Sequence, residues 1–310
     1  MTFRRREILE QPHAFKYVYA PPGHAVGEHC VVRKGEEYHL FCAQPAVVVD
    51  ETPVARKIAH ATSRNLVEWE ERRAALGAGE EGAWDAIALD SPFVIEREGA
   101  FHMFYTGTSA EGAQQIGIAI SQDLETWKRL GTTPAITPGA SWSSWRGQGY
   151  HPCRGACVVE EGGLYRIYYA AKAGREETGV IASASSRDLI SWKDHGPVVA
   201  MAAGSTEYGQ AFVSAPCVVK VGELYQLFVT YERGVFWAAS DDPLFFEDFS
   251  YLGPYYASEV FFAEGRAFIT SSLKTLGKAD LTGPFRGLYL AGLRWEGTVP
   301  IVMDLADCLG

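Results

Sequence analysis

The chain has 310 residues, of which 47% are hydrophobic and 21% charged, enough apolar material for a substantial core and far from the composition of a disordered segment. Twenty-eight Lys and Arg against 38 Asp and Glu leave a net charge of −10, which argues against nucleic acid or an anionic membrane as the main partner. Sixteen Phe, 15 Tyr and 8 Trp with 32 Gly and only 4 Met favour short strands joined by tight turns over helices.

Arg4, Arg5 and Arg6 open the chain without an apolar run behind them, so no secretory signal is expected there, and no stretch is long enough to span a bilayer as a helix. The six cysteines (Cys30, Cys42, Cys153, Cys157, Cys217, Cys308) form neither a CxxC pair nor a zinc spacing. They read as reduced, mostly buried thiols of a cytoplasmic protein.

In chain order, one unit recurs: an apolar strand, a Gly turn, an aromatic strand, then a small-residue strand ending in Ser-x-Asp-Leu-x-x-Trp. Residues 28–41 and 58–69 carry it first, with Asn65 in place of the Asp; residues 90–105 and 116–127 carry it again, as do 154–169 and 181–192. A fourth copy at 214–228 continues into 235–240 and then diverges, and a fifth at 258–268 is shorter. The anchor aromatics Tyr38, Phe101, Tyr165, Tyr225 and Phe268 are 63, 64, 60 and 43 residues apart. Five such units predict an all-β, five-bladed β-propeller with a central funnel, a single domain over residues 1–310. Residues 288–295 complete the last blade, with the N-terminal strand as a possible closure. Eight positions before the anchors stand Cys30, Phe93, Cys157, Cys217 and Val260, a position for small apolar packing between blades. Trp69, Trp127 and Trp192 share a second repeat position, read as blade packing.

This pattern resembles the five-bladed glycoside hydrolases of families 32, 43 and 68, which act on fructosides, arabinosides and xylosides. The strands at 38–41, 101–107 and 164–169, the Ser-x-Asp-Leu-x-x-Trp ends and the closing 291–295 segment carry the resemblance over nearly the whole chain. It implies three acids at the mouths of the innermost strands, two of them flanking a glycosidic bond and a third steering charge. The match to that triad is partial. Glu28 stands where the families have Asp, Arg154-Gly155-Ala156 stands for Arg-Asp-Pro, and Ser214 stands for the Glu that acts as general acid.

Asp90, Glu259 and Glu207 are the other acids placed to reach the funnel, which makes Glu28, Asp90, Glu259 and Glu207 the candidate catalytic residues. Each has a plainer reading: Asp90 before Ser91-Pro92 also suits a turn acceptor, Glu207 a solvated loop acid, and Glu28 and Glu259 structural residues of the strand mouths. Arg154 either clamps a ligand or neutralises Glu28 and Asp90. Arg154, His151, His24, Trp84, Asp85, Trp142, Trp145 and Tyr208 are the candidate substrate-binding residues, with His29 and Tyr150 at the same mouths; aromatics with scattered polar groups suit a sugar or polyol. His60, His102 and His195 read as ordinary strand and turn residues. No cofactor and no metal site are expected: the histidines and carboxylates suit neither an oxygen cage nor spaced zinc ligands, although a channel cation is compatible with such a fold.

Three functions compete. The first is a glycosidase-like enzyme acting on a small furanoside or related oligosaccharide. The second is a repurposed funnel doing other acid/base chemistry on a metabolite, such as cyclisation, elimination or isomerisation. The third is a non-catalytic carbohydrate-binding propeller.

Overall fold

A computed structural model describes residues 14–21, 24–44, 57–175, 177–200, 205–206, 209–210, 212–232, 234–272 and 287–309. It is a five-bladed β-propeller in which each blade is one antiparallel sheet in sequence order from the axis outwards. Blade 1 runs His29–Lys34, Glu37–Gln44, Lys57–Ser63 and Glu70–Glu71. Blade 2 runs Ala88–Arg97, Ala100–Thr108, Gln114–Ser121 and Lys128–Arg129. Blade 3 is Cys153–Glu161, Leu164–Ala173, Thr178–Ser186 and Lys193–Ala200, and blade 4 is Ser214–Val221, Leu224–Tyr231, Gly234–Ser240 and Ser250–Gly253.

Blade 5 contains Val260–Ala263, Arg266–Ser271 and Leu288–Glu296. The outer edge of Leu288–Glu296 is shared. Lys16–Tyr19 pairs with residues 288–290, and Val299–Met303 pairs with residues 292–296. The N-terminal strand thus helps to close the ring.

The core lies between blades, because each sheet is apolar on both faces. Tyr105, Tyr168, Tyr169, Phe41, Phe104 and Phe228 are fully buried. The Ser-x-Asp-Leu-x-x-Trp ends are compact turns. Ser121 and Asp123 accept backbone N–H groups of the turn, and burial holds Leu124 in a left-handed conformation (φ 69°) while Trp127 Nε1 donates to its carbonyl. Leu66 and Leu189, under Trp69 and Trp192, repeat this arrangement. All six cysteines are buried free thiols. Among the described residues, no helix is long and apolar enough to cross a membrane.

Register corrects one part of the repeat alignment. Tyr38 pairs with Arg33, Phe101 with Glu96, Tyr165 with Glu160 and Tyr225 with Lys220, always five residues back. In blade 5 the pair five apart is Phe262 with Ala267, so Ala267 rather than Phe268 is the equivalent position. The residue that joins Cys30, Phe93, Cys157 and Cys217 around the axis is therefore Glu259 and not Val260. The buried aromatic at 268 misplaced it by one residue, and a one-residue slip exchanges the two faces of a strand.

Candidate funnel site

The site is built by one backbone device repeated around the axis. Ser91, Gly155, Ala215 and Ala257 all have left-handed backbones, with φ of 50°, 68°, 47° and 47°. In blades 2, 3 and 4 they sit in β-bulges, where the register shifts between Asp90 and Phe93, Arg154 and Cys157, and Ser214 and Cys217. A bulge leaves a residue out of the ladder and re-aims its neighbour. Two of the freed amides are captured by the preceding blade: Gly155 N–H donates to Thr106 Oγ1 at 3.2 Å, and Ala257 N–H to Thr230 Oγ1 at 3.0 Å. The residues immediately before these positions are Asp90, Arg154, Ser214 and Tyr256.

Glu28 of blade 1 meets two of them. Arg154 Nη2 donates to Glu28 Oε1 at 2.8 Å and lies 3.4 Å from Asp90 Oδ2. Ser91 Oγ donates to Glu28 Oε2. Asp90 serves the turn as well, since its Oδ1 accepts the Ser91 amide at 2.9 Å. Asp90 thus holds its turn with one oxygen and faces Arg154 with the other. Glu28 and Asp90 are buried, and Arg154 is largely so. Burial raises the Glu28 carboxyl above its ordinary value; Arg154 pulls it down less strongly and Asp90 adds to the rise. Burial alone would weaken the Arg154 cation, but the carboxylates of Glu28 and Asp90 hold it firmly charged. Its Nε has no acceptor among the described residues.

Sequence reasoning missed Tyr256 and Ser91. Tyr256 occupies in blade 5 the position of Asp90, Arg154 and Ser214, and its phenol is shifted upwards by burial and by Glu28. The blade 5 offset of one residue, with Ala267 and not Phe268 at the anchor position, concealed it. The exposed Tyr150 ring lies within electrostatic reach of Arg154 and carries Lys172 Nζ 5.5 Å from its centroid.

Below this cluster, a cavity of about 30 Å³ is lined by the bulge residues and the axial ring, room for about one water. In the ring, Val218 N–H donates to Cys157 Sγ and Val260 N–H to Cys217 Sγ, both at 3.2 Å. Glu259 Oε2 accepts Val31 N–H at 2.8 Å and does the same task between blades 5 and 1. Its carboxyl is pushed well up by burial and by Cys217. At Cys157, Cys217 and Glu259 the shared ring position therefore does more than pack: the side chain caps the edge of the next inner strand. His29 fixes the same junction, with Nε2 2.7 Å from Thr270 Oγ1, and burial lowers its pKa to about 4.

The other candidates have these placements. Asp85 accepts Tyr105 Oη–H at 3.0 Å and Arg129 Nε–H at 2.7 Å, within blade 2. Trp84 stacks on Tyr105 in a slot that Gly107 and Gly117 leave open; a Cβ at either would fall under 3 Å from the indole. Trp142 Nε1 donates to Asp194 Oδ2 at 2.7 Å and Trp145 Nε1 to Gln114 O at 3.1 Å, both beside the blade 3 core. His151 accepts Gln114 N–H at its carbonyl, while its Nδ1 is buried without a hydrogen-bond partner among the described residues. His24 is exposed, and its amide donates to Pro21 O. Glu207 and Tyr208 lie outside the described residues.

The chain matches no protein-family model. Over 140 residues, 43% of the chain and 43% of the relative, it is 26% identical to an uncharacterized protein of Mycobacterium tuberculosis. In structure it is similar to a thermostable family-43 glycoside hydrolase, with a TM-score of 0.71, 18% identity, and 93% of this chain and 96% of that one covered. It is also similar to sucrose-6-phosphate hydrolase of Lactobacillus gasseri, with a TM-score of 0.72, 19% identity, and 94% and 64% covered. Fructan 1-exohydrolase IIa of Cichorium intybus matches with a TM-score of 0.70 and 19% identity over 97% and 62%. The chain thus spans less than two thirds of the two fructoside-cleaving proteins and nearly all of the family-43 one. The fold is that of the five-bladed propeller glycoside hydrolases.

Proposed function

We propose that the chain is a glycosidase-like enzyme that cleaves a small furanoside or related oligosaccharide in the funnel, with Glu28 and Asp90 as its carboxylate pair and Arg154 as the cation that orients them. The observation that carries this reading is the single Arg154 nitrogen facing both acids. Since that nitrogen is 2.8 Å from one oxygen and 3.4 Å from the other, the two oxygens are at most about 6 Å apart, a bound that admits the ~5–5.5 Å of retaining glycosidases and falls short of the ~6.5–9.5 Å of inverting ones. Glu28, whose burial favours the protonated form, gives its proton to the leaving-group oxygen. Asp90 attacks the anomeric carbon from the opposite face as the glycosidic C–O bond breaks. Water, deprotonated by Glu28, then releases the sugar from Asp90 and restores both groups. Arg154 offers its unused Nε–H to a sugar hydroxyl, and Tyr256 and Tyr150 supply aromatic surface nearby. The furanoside class is supported by neighbours named for cleaving fructosides.

The test is turnover of fructosides, arabinosides, xylosides and galactosides by wild type, E28Q and D90N, read by mass spectrometry. Product from wild type, with each variant down by about 10²-fold or more, is the expected result. Wild-type inactivity on every glycoside would overturn it. Gly155 and Ser214, which carry no acid where the resembled enzymes do, favour a second reading: the same three residues perform other acid/base chemistry on a polyol-like metabolite.

A further inference from the structure

On the outer part of blade 1, two histidines stand edge to edge. His39 Nδ1 is 3.0 Å from His60 Nε2, and the rings are 5.2 Å apart and 13° from parallel, with Phe41 stacked behind His60. Both are buried, and burial keeps both neutral, with His60 lowered to about 3. Facing them from blade 2 is Glu125, whose Oε2 lies 3.6 Å from His60 Nδ1. One donor atom from each of the three residues falls within 4.8 Å of the other two. Glu125 is presented by a tight turn, its own amide held by Asp123 Oδ1 at 2.8 Å. Within this group the His60 Nδ1 atom is buried, in a residue only 1% exposed, and makes no hydrogen bond among the described residues. A buried ring nitrogen is ordinarily satisfied, so this one marks a position where a partner belongs.

We propose that His39, His60 and Glu125 form a binding site for a divalent transition-metal ion of the zinc type at the junction of blades 1 and 2. Two neutral imidazoles and a carboxylate are the donor set such ions prefer, with a fourth, solvent position in tetrahedral geometry. Calcium and magnesium, which take oxygen ligands, fit it poorly. The Arg72 charge is felt at both histidines and opposes the ion, but only in part. Arg72 Nε donates to Thr62 Oγ1 at 3.1 Å, and its Nη2 lies 3.1 Å from Glu70 and 3.7 Å from Glu37, so its charge is partly balanced locally. The site draws ligands from two blades, and the bound ion ties them together. It is separate from the funnel acids and does not depend on the reaction assigned to them.

The experiment uses the full chain, stripped with a chelator and dialysed. Zn²⁺ is titrated calorimetrically, and Co²⁺ by visible absorption, which reports nitrogen-ligated tetrahedral geometry. The expected result is one equivalent of each ion, tetrahedral Co²⁺ bands, and a higher unfolding midpoint with Zn²⁺ that chelator reverses. E125Q, a surface change that leaves the fold intact by circular dichroism, weakens binding about tenfold or more. H60Q abolishes the bands. No saturable binding by wild type would overturn the proposal, as would one-equivalent binding unchanged in E125Q. If H60Q fails to fold, the wild-type Co²⁺ spectrum and the E125Q affinity decide alone.

Discussion

Glu28 Oε2 lies 3.4 Å from the point where a Cβ on Gly155 would stand. The longer acid of blade 1 and the missing acid of blade 3 are, in space, one substitution: the Glu28 carboxylate borders the volume that a side chain at 155 would enter. A second carboxylate there would meet Glu28 inside a buried site, on a backbone with φ of 68° that disfavours any side chain.

We expect G155A to cost about 1 kcal/mol and G155D about 2 kcal/mol or more. Adding E28D to G155D should recover part of the loss by withdrawing one carboxylate. Urea denaturation of the two single variants and the double variant checks this. Strict additivity would show that the two positions do not share space.

Arg154 stands between two buried acids, Glu28 and Asp90, and its removal leaves them uncompensated. R154M should lose about 3–5 kcal/mol of stability at neutral pH and recover part of it in acid, where the raised Glu28 carboxyl is protonated. R154K keeps the charge but not the fork and should fall between. Denaturation at pH 7 and pH 4.5 separates the three proteins. Equal losses at both pH values would argue that packing, not charge, was removed.

If Glu259 belongs to the axial ring, what matters is an acceptor for Val31 N–H and not a negative charge. E259Q, which keeps an oxygen there, should stay within about 1 kcal/mol of wild type, whereas E259L should cost about 1–3 kcal/mol by orphaning a buried amide. If instead E259Q retains the fold but abolishes turnover, the residue belongs with the chemistry.

His29 makes stability depend on pH. Unfolded, its imidazole takes a proton near 6.5; folded, only near 4. The unfolded chain thus binds the extra proton, and the stability present above pH 6.5 declines as pH falls toward 4, by about 3 kcal/mol for this residue. His60 adds a loss in the same direction over a window reaching to about 3. Glu28 and Glu259, whose carboxyls are raised, act oppositely: their contribution is fullest at low pH and is lost as pH rises. Comparing H29Q with wild type in urea between pH 7 and pH 5 isolates the histidine, and the variant should show the flatter profile.

The propeller was legible because its period is carried by large residues that must be buried: the anchor aromatics and the Leu–Trp turn ends recur with the blade. The convergence of Glu28, Asp90 and Arg154 was legible for the same reason, since the mouths of the inner strands, within one repeat position of each other, face one axis. What sequence hid was conformation and register. Nothing in Ser91 or Ala257 announces a left-handed backbone, and one aromatic displaced by a residue in blade 5 both concealed Tyr256 and detached Glu259 from its ring. The polar groups of Trp142, Trp145 and Asp85 have partners in distant segments, a matter of tertiary packing that no local pattern records.

The strand Lys16–Tyr19 precedes every blade in the chain, yet its partner, Leu288–Glu296, is made only after four blades and the first two strands of the fifth. For the tens of seconds that synthesis of the intervening chain takes, four blades can stack while the first segment has no sheet to join. Ring closure is then a step that follows the other blades and is governed by loop-closing entropy over all the chain between the two strands. Until it happens, the nascent protein is an open arc with two sticky sheet edges, the form in which two copies could exchange their first strands.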